Sequence, residues 1–220
     1  MEQNTALLMI DMQNGFLNEQ SPCCIAGARA TVPACSAVIR HCREQGVPVF
    51  FITRRYRADG SDVEHTRFAR WLRGGKPLSP GCAAEISADA PAEFGASERD
   101  YHIVKPRYSA FFQTELDLLL RRLGVTTVLL AGTTTPNCIR TTCYDAISLD
   151  YHVVVLTDCT SSDTEAIQQS NLRDMERVGA QLITARELID GTAPLRDSAA
   201  AVRAAVRAGC VPEGSGRHEM

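Results

Sequence analysis

The chain has 220 residues, of which 45% are hydrophobic and 22% are charged, an ordinary composition for a folded domain that excludes intrinsic disorder. Its 23 Lys and Arg residues face 26 Asp and Glu residues, for a formal net charge of −3, so it lacks the basic excess of a general nucleic-acid binder. The length predicts one domain over residues 1–220, with a core over about residues 5–190 and a C-terminal helix and tail over 191–220.

Alternating strand and helix patterns run along the chain. The buried apolar runs predict strands over residues 5–11, 47–53, 101–104, 125–131, 151–157 and 180–184. The helical patterns, several of them followed by glycine, predict helices over residues 31–45, 111–123, 136–149, 163–178 and 197–208. Residues 54–100 are the irregular part, with a short amphipathic stretch near 63–72, and residues 209–220 are expected to be a frayed tail.

This alternation predicts an α/β fold with three α-β-α layers and a doubly wound, mainly parallel sheet of about six strands. In open sheets of this kind, ligands bind outside the carboxyl ends of the strands. The residues that directly follow the predicted strands are therefore the first candidates for a functional site.

The cysteines and the N-terminus indicate the compartment. Nine cysteines include no CxxC pair, so neither a zinc ribbon nor a thioredoxin-type motif is predicted. The N-terminus lacks a basic region, Asp11 interrupts its apolar run, and no run approaches the length of a membrane span. A cytoplasmic protein with reduced thiols and no membrane association is expected.

Three reactive residues lie just past strand ends: Asp11, Lys105 and Cys138. Each has an ordinary alternative, because an Asp can anchor a loop, a lysine is usually solvated and a cysteine is usually a buried thiol. Lys105 is one of only two lysines, the other being Lys76, in a chain that otherwise uses arginine. A role that needs an amine able to exchange protons would explain a lysine there, since guanidinium stays charged.

Cys138 lies in the predicted turn between a strand and a helix. Thr135 is expected to cap that helix and Pro136 to occupy its first position, which places Cys138 in the first helical turn. Free N–H groups and the helix dipole favour a thiolate there, so Cys138 is a candidate nucleophile whose neighbouring backbone could hold an oxyanion.

Three motifs now carry a family resemblance: Leu8–Phe16 (LMIDMQNGF), Val104–Phe111 (VKPRYSAF) and Gly132–Ala146 (GTTTPNCIRTTCYDA). In this order they resemble the isochorismatase-like cysteine hydrolases, a family that includes nicotinamidases, N-carbamoylsarcosine amidases and ureidoacrylate amidohydrolases. The resemblance implies an Asp–Lys–Cys triad at Asp11, Lys105 and Cys138. It also implies an oxyanion site at the N–H groups of Thr134 and Cys138 and a cis peptide at Thr133–Thr134. The segment Gly132–Thr135 reads Gly-Thr-Thr-Thr here, where the family commonly has the sequence Gly-Val-Ala-Thr.

The activity that the resemblance implies is hydrolysis of a C–N bond in a small amide or N-carbamoyl compound through a cysteine thioester. No cofactor is expected, and a homo-oligomer, a dimer or tetramer, is implied. The nucleophilic cysteine argues against hydrolysis of isochorismate, which is a vinyl ether. The stretch from Thr53 to His65 lacks the Asp-x-His pair of metal-binding nicotinamidases, so we predict no metal and disfavour nicotinamide.

Substrate-binding candidates follow the second strand and the motifs. Arg54 or Arg57 could bind a substrate carboxylate, although Asp59, Asp62 and Glu64 offer salt-bridge partners for a purely structural role. Phe16, Trp71 and Tyr108 are candidate apolar walls, as is Phe111.

Two other functions stay open from the sequence. One is a thiol or redox protein that uses Cys138 with Cys143 as a resolving thiol, which the missing CxxC spacing disfavours. The other is a non-catalytic binding protein on the same fold, which the presence of all three triad residues disfavours.

Overall fold

A computed structural model describes residues 4–195 and 199–209. Its centre is a six-stranded sheet in the order β3-β2-β1-β4-β5-β6, with every neighbouring pair parallel. The strands are β1 (Thr5–Ile10), β2 (Val49–Arg54), β3 (Tyr101–Lys105), β4 (Thr127–Thr133), β5 (His152–Ser161) and β6 (Gln181–Ile183). The predicted α/β fold with a doubly wound parallel sheet is confirmed.

Helices cover both faces of this sheet. They are α1 (Asn14–Leu17), α2 (Val32–Glu44), α3 (Phe68–Arg73), α4 (Leu116–Arg122), α5 (Arg140–Ser148), α6 (Glu165–Arg177), α7 (Ala185–Asp190) and α8 (Ala199–Arg207). A π-helical turn, Thr135–Ile139, leads into α5. No helix among the described residues is both long and apolar enough to cross a membrane.

Strand alternation explains the two layers of core. In β1, Leu8 and Ile10 face a cluster that holds the buried residues of α4, α5 and α6, whereas Leu7 and Met9 face one that holds those of α2 and α7. Because both faces are covered, β1 is buried along its whole length. The continuous apolar run in the sequence is the consequence.

The elements differ from the predicted ones at identifiable places. The helix predicted from residue 111 begins only at Leu116, because Gln113 adopts a left-handed φ of 53° that a helix cannot contain. Strand β5 extends to Ser161, because a register shift after Leu130 lets Thr133 pair with Ser161. Residues 197–198 of the predicted terminal helix and residues 210–220 of the predicted tail lie outside the described residues.

The segment 54–100, predicted as irregular, builds a third apolar cluster. Tyr56, Val63, Trp71 and Leu78 are its buried members, and Trp71 donates its indole N–H to the Pro77 carbonyl at 3.0 Å. This cluster packs outside the two core layers, and three of its members, Tyr56, Trp71 and Leu78, line a cavity at the carboxyl edge of the sheet.

Candidate active site

The three candidate catalytic residues meet at the carboxyl edge of the sheet. Asp11 directly follows β1, Lys105 is the last residue of β3, and Cys138 lies in the π-helical turn after β4. The Lys105 ammonium Nζ is 2.8 Å from Asp11 Oδ2 and donates to Cys138 Sγ at 3.5 Å. Asp11 is 1% exposed, Lys105 0% and Cys138 6%. Lys105 therefore bridges a buried carboxylate and a buried thiol.

Backbone geometry and one buried amide place Asp11. Its φ is 53°, and its N–H still donates to the Ile52 carbonyl of β2 at 2.8 Å. Two residues on, the Gln13 amide accepts from the Arg54 N–H at 2.8 Å and donates to the Arg54 carbonyl at 2.9 Å. Gln13 thus ties the end of β1 to the end of β2. Sequence reasoning missed it, although a glutamine two residues after a candidate catalytic Asp was a visible signal.

Gly132 lets β4 approach β1 closely before the chain turns into the Cys138 segment. Its φ is 115°, and a Cβ atom at this position would lie 1.9 Å from the Ile10 carbonyl oxygen. One residue further on, the Thr133–Thr134 peptide is cis. Any side chain at residue 132 would push the Cys138 turn away from Asp11, so glycine is required here.

The predicted helix cap at Thr135 is wrong. Thr135 is the first residue inside the π-helical turn, with Pro136 after it, and Thr134 before it makes no side-chain cap bond. Both hydroxyls instead donate hydrogen bonds to the Ser161 carbonyl of β5, that of Thr135 at 2.9 Å and that of Thr134 at 3.2 Å. The turn is therefore anchored to the extended end of β5, since a nearby buried carbonyl competes successfully with the helix terminus.

The surroundings of Cys138 favour the neutral thiol. Burial, together with the charge of Asp11, raises its pKa to about 11, and the charges of Lys105 and Arg54 only partly oppose this. Burial and the charge of Asp11 therefore oppose the thiolate that the helix start was expected to favour. Cys138 needs a base, and Asp11 provides a carboxylate whose Oδ1 accepts no hydrogen bond from the described residues.

A cavity of about 250 Å³ opens onto Asp11 and Cys138. Among the predicted site residues, the wall contains Phe16, Arg54, Trp71, Tyr108, Thr133 and Thr134. Arg57 is not brought to the cavity, because its side chain is 71% exposed and lies 3.8 Å from Asp59. Phe111 is also absent from this wall and instead stacks on Tyr151 with 5.8 Å between the ring centroids.

Arg54 reaches the cavity wall with its charge already paired. Its side chain is 2% exposed, and its Nη1 forms an ion pair with Glu64 Oε1. Tyr56 donates its hydroxyl to the other Glu64 oxygen at 2.8 Å and accepts from Arg54 at 3.1 Å. Burial favours this pairing, because a desolvated guanidinium without a counter-charge would be costly.

Sequence reasoning missed several residues of the wall. Tyr56, Arg67, Arg70 and Asn137 all line the cavity. Arg67, Arg70 and Trp71 have the i, i+3, i+4 spacing of one helix face, which the amphipathic stretch near 63–72 already contained. The two arginines lie at and inside the start of α3.

The described residues contain no group of three or more His, Cys, Asp or Glu side chains that could hold a metal ion. His65 is exposed. The eight cysteines within the described ranges are all free thiols.

Comparison with known proteins decides the family. Residues 5–187 match the model of the isochorismatase domain. The chain belongs to the isochorismatase family.

Individual family members cover most of the chain. A probable inactive nicotinamidase of Arabidopsis thaliana is 38% identical over 187 residues, covering 84% of this chain and 94% of that protein. The ureidoacrylate amidohydrolase of Pantoea ananatis is 30% identical over 193 residues, covering 79% and 76%. The crystal structure of an isochorismatase family protein from Desulfovibrio vulgaris has 40% identity and a TM-score of 0.80, covering 87% and 99%. The fold of the isochorismatase family is thus shown over nearly the whole described chain, and its relatives include amidohydrolases.

Proposed function

We propose that this isochorismatase family protein is a cysteine hydrolase that cleaves the C–N bond of a small amide or N-carbamoyl compound. The observation that carries the proposal is the position of Lys105 Nζ, 2.8 Å from Asp11 and 3.5 Å from Cys138, two residues that line the cavity. A buried base, a buried cation and a buried nucleophile in contact are what attack on a carbonyl carbon requires.

In the first half of the reaction, Asp11 accepts the proton of the Cys138 thiol as sulfur attacks the carbonyl carbon. Lys105 stabilises the thiolate while the S–C bond forms, which offsets the burial that favours the neutral thiol. The carbonyl oxygen becomes an oxyanion. By family resemblance, the backbone N–H groups of Thr134 and Cys138 hold it.

Collapse of the tetrahedral intermediate then breaks the C–N bond. Asp11 returns its proton to the leaving nitrogen, which departs as ammonia or an amine and leaves a thioester on Cys138. In the second half, Asp11 removes a proton from water, which attacks the thioester carbon. The C–S bond breaks, the carboxylic acid product of an amide or the carbamic acid product of an N-carbamoyl compound leaves, and the proton restores the thiol, so Asp11 acts as base and acid in turn.

The test pairs two buried cysteines. Cys138→Ala is expected to abolish ammonia release from a panel of amides, ureido acids and carbamates while keeping the fold, measured by circular dichroism. Cys143→Ala removes another buried thiol five residues on and should retain turnover. A covalent acyl adduct on Cys138 should appear by mass spectrometry during turnover by the unmodified protein.

The opposite results would point elsewhere. Wild-type turnover by Cys138→Ala would refute the proposal. Loss of activity in both variants, with a disulfide between residues 138 and 143 after peroxide treatment, would favour the thiol or redox function instead.

A further inference from the structure

The charges around the cavity are unevenly paired. Asp11 is paired with Lys105, and Arg54 with Glu64. The other charged residues on the wall are Arg67, Arg70 and Asp163. Two guanidinium groups against one exposed carboxylate leave an excess of positive charge on the wall.

Arg67 is the guanidinium best placed to meet a ligand. It is half-buried, and its guanidinium carbon lies 5.6 Å from the centroid of the Tyr108 ring. Glu64, an acid whose charge acts on Arg67, is already bonded to Arg54 and Tyr56. Within the described ranges, Arg67 forms no ion pair and its side chain donates no hydrogen bond. Stacking on Tyr108 orients the planar fork of Arg67, while its donors stay available.

Arg70 lies nearer the solvent. It follows Arg67 by one helical turn, is exposed, and donates one Nη2 hydrogen bond to the Pro22 carbonyl at 2.9 Å. A group bound by Arg67 would therefore meet a second positive charge at the cavity rim. The apolar side chains of Phe16, Trp71 and Leu78 are also part of the wall.

We infer that the substrate is an amide or ureido compound bearing a carboxylate, and that Arg67 is the residue that binds this carboxylate. The inference rests on the proposed function and adds the substrate class. A single oriented guanidinium fork matches the two oxygens of a carboxylate, and a partly buried fork without a counter-charge gains the most from an anionic ligand. Arg67, and not the candidates Arg54 and Arg57, is then the arginine that binds the substrate carboxylate.

The experiment compares pairs of probes that differ only in the carboxylate. Succinamate and N-carbamoyl-β-alanine are the anionic members, and succinamide and N-carbamoyl-β-alaninamide their neutral partners. In wild-type protein, kcat/KM should be higher for the anionic member of the pair that is turned over. Arg67→Met should lower the anionic-to-neutral ratio of kcat/KM by about 10- to 100-fold, the range for a charge-assisted hydrogen bond.

Two further variants sharpen the measurement. Arg67→Lys keeps the charge but not the fork, so it should recover part of the ratio. Arg73→Met, on the same helix but exposed and outside the cavity wall, should leave the ratio unchanged. Binding is measured separately by titration calorimetry on Cys138→Ala protein, with and without Arg67→Met.

The outcomes separate this inference from the proposed function. Turnover without preference for the anionic members, or an equal loss on both members in Arg67→Met, overturns the carboxylate site and leaves the hydrolase standing. Arg67-dependent binding of the anionic probes without turnover supports the carboxylate site and counts against the hydrolase. If no probe is bound and none is turned over, the carboxylate inference is overturned for these two skeletons. The same result counts against the proposed hydrolase function.

Discussion

The buried pair of Asp11 and Lys105 allows a quantitative test that does not depend on the substrate. The perturbations are Asp11→Asn, Lys105→Met and the two together. Both side chains are almost fully buried, at 1% and 0% exposure, and their charged atoms are 2.8 Å apart. Each single variant leaves the other group buried without its partner, whereas the double variant removes both charges.

The distance sets the size of the effect. At 2.8 Å and an effective dielectric constant of about 20, the attraction is on the order of 6 kcal/mol before desolvation is subtracted. Removal of one partner of a buried pair lowers the free energy of unfolding by about 3–5 kcal/mol. Replacement of both by neutral groups is tolerated far better, so we expect a coupling energy of at least about 2 kcal/mol.

Urea unfolding of the four proteins at neutral pH measures this coupling. The control is the same cycle on Arg186 and Asp190, an ion pair of 3.3 Å whose side chains are 89% and 49% exposed. Its coupling should stay below about 0.5 kcal/mol, as for other exposed helix pairs. Additive single effects at Asp11 and Lys105 would refute the reasoning, because they would mean that the buried groups do not carry opposite charges.

Three more predictions follow from particular positions. Lys105→Arg keeps the charge but not the compact amine that contacts both partners, so ammonia release should fall by about 10²-fold or more, and activity within tenfold of wild type would contradict this. Gly132→Ala should lower the free energy of unfolding by about 2–4 kcal/mol, because its Cβ meets backbone at 1.9 Å, whereas Gly124→Ala, with a φ of 70° and open space, should cost about 1–2 kcal/mol in the same denaturant titration. Burial raises the pKa of Cys42 and of Cys143 from 9.0 to about 12, so above pH 9 the unfolded chain releases protons that the folded chain keeps. Stability should therefore fall by about 1.4 kcal/mol per pH unit per thiol, and Cys42→Ala should flatten that slope; a curve unchanged from pH 8 to 11 would contradict it.

Local patterns were enough to predict the fold and to select Asp11, Lys105 and Cys138. A parallel sheet buried on both faces requires continuous apolar strands, and such strands are visible as runs in the sequence. Because parallel strands end at one edge, residues that follow different strands are brought together by topology alone. The resemblance of the three motifs added the proposed roles, and the folded chain places Lys105 in contact with both Asp11 and Cys138.

The tertiary structure decided which charges are paired. From the sequence, Arg54, Arg57 and Arg67 are three arginines near several acids. Folding buries Arg54 against Glu64, leaves Arg57 in solvent and stacks Arg67 on Tyr108 at the cavity wall. The reason is that desolvation and contacts between segments far apart in the chain set the partner of a side chain, as for Arg67 with Tyr108. No local sequence pattern contains that information. For the same reason the surroundings of Cys138 favour the neutral thiol over the thiolate, since its burial and the charge of Asp11 beside it exist only in the folded protein.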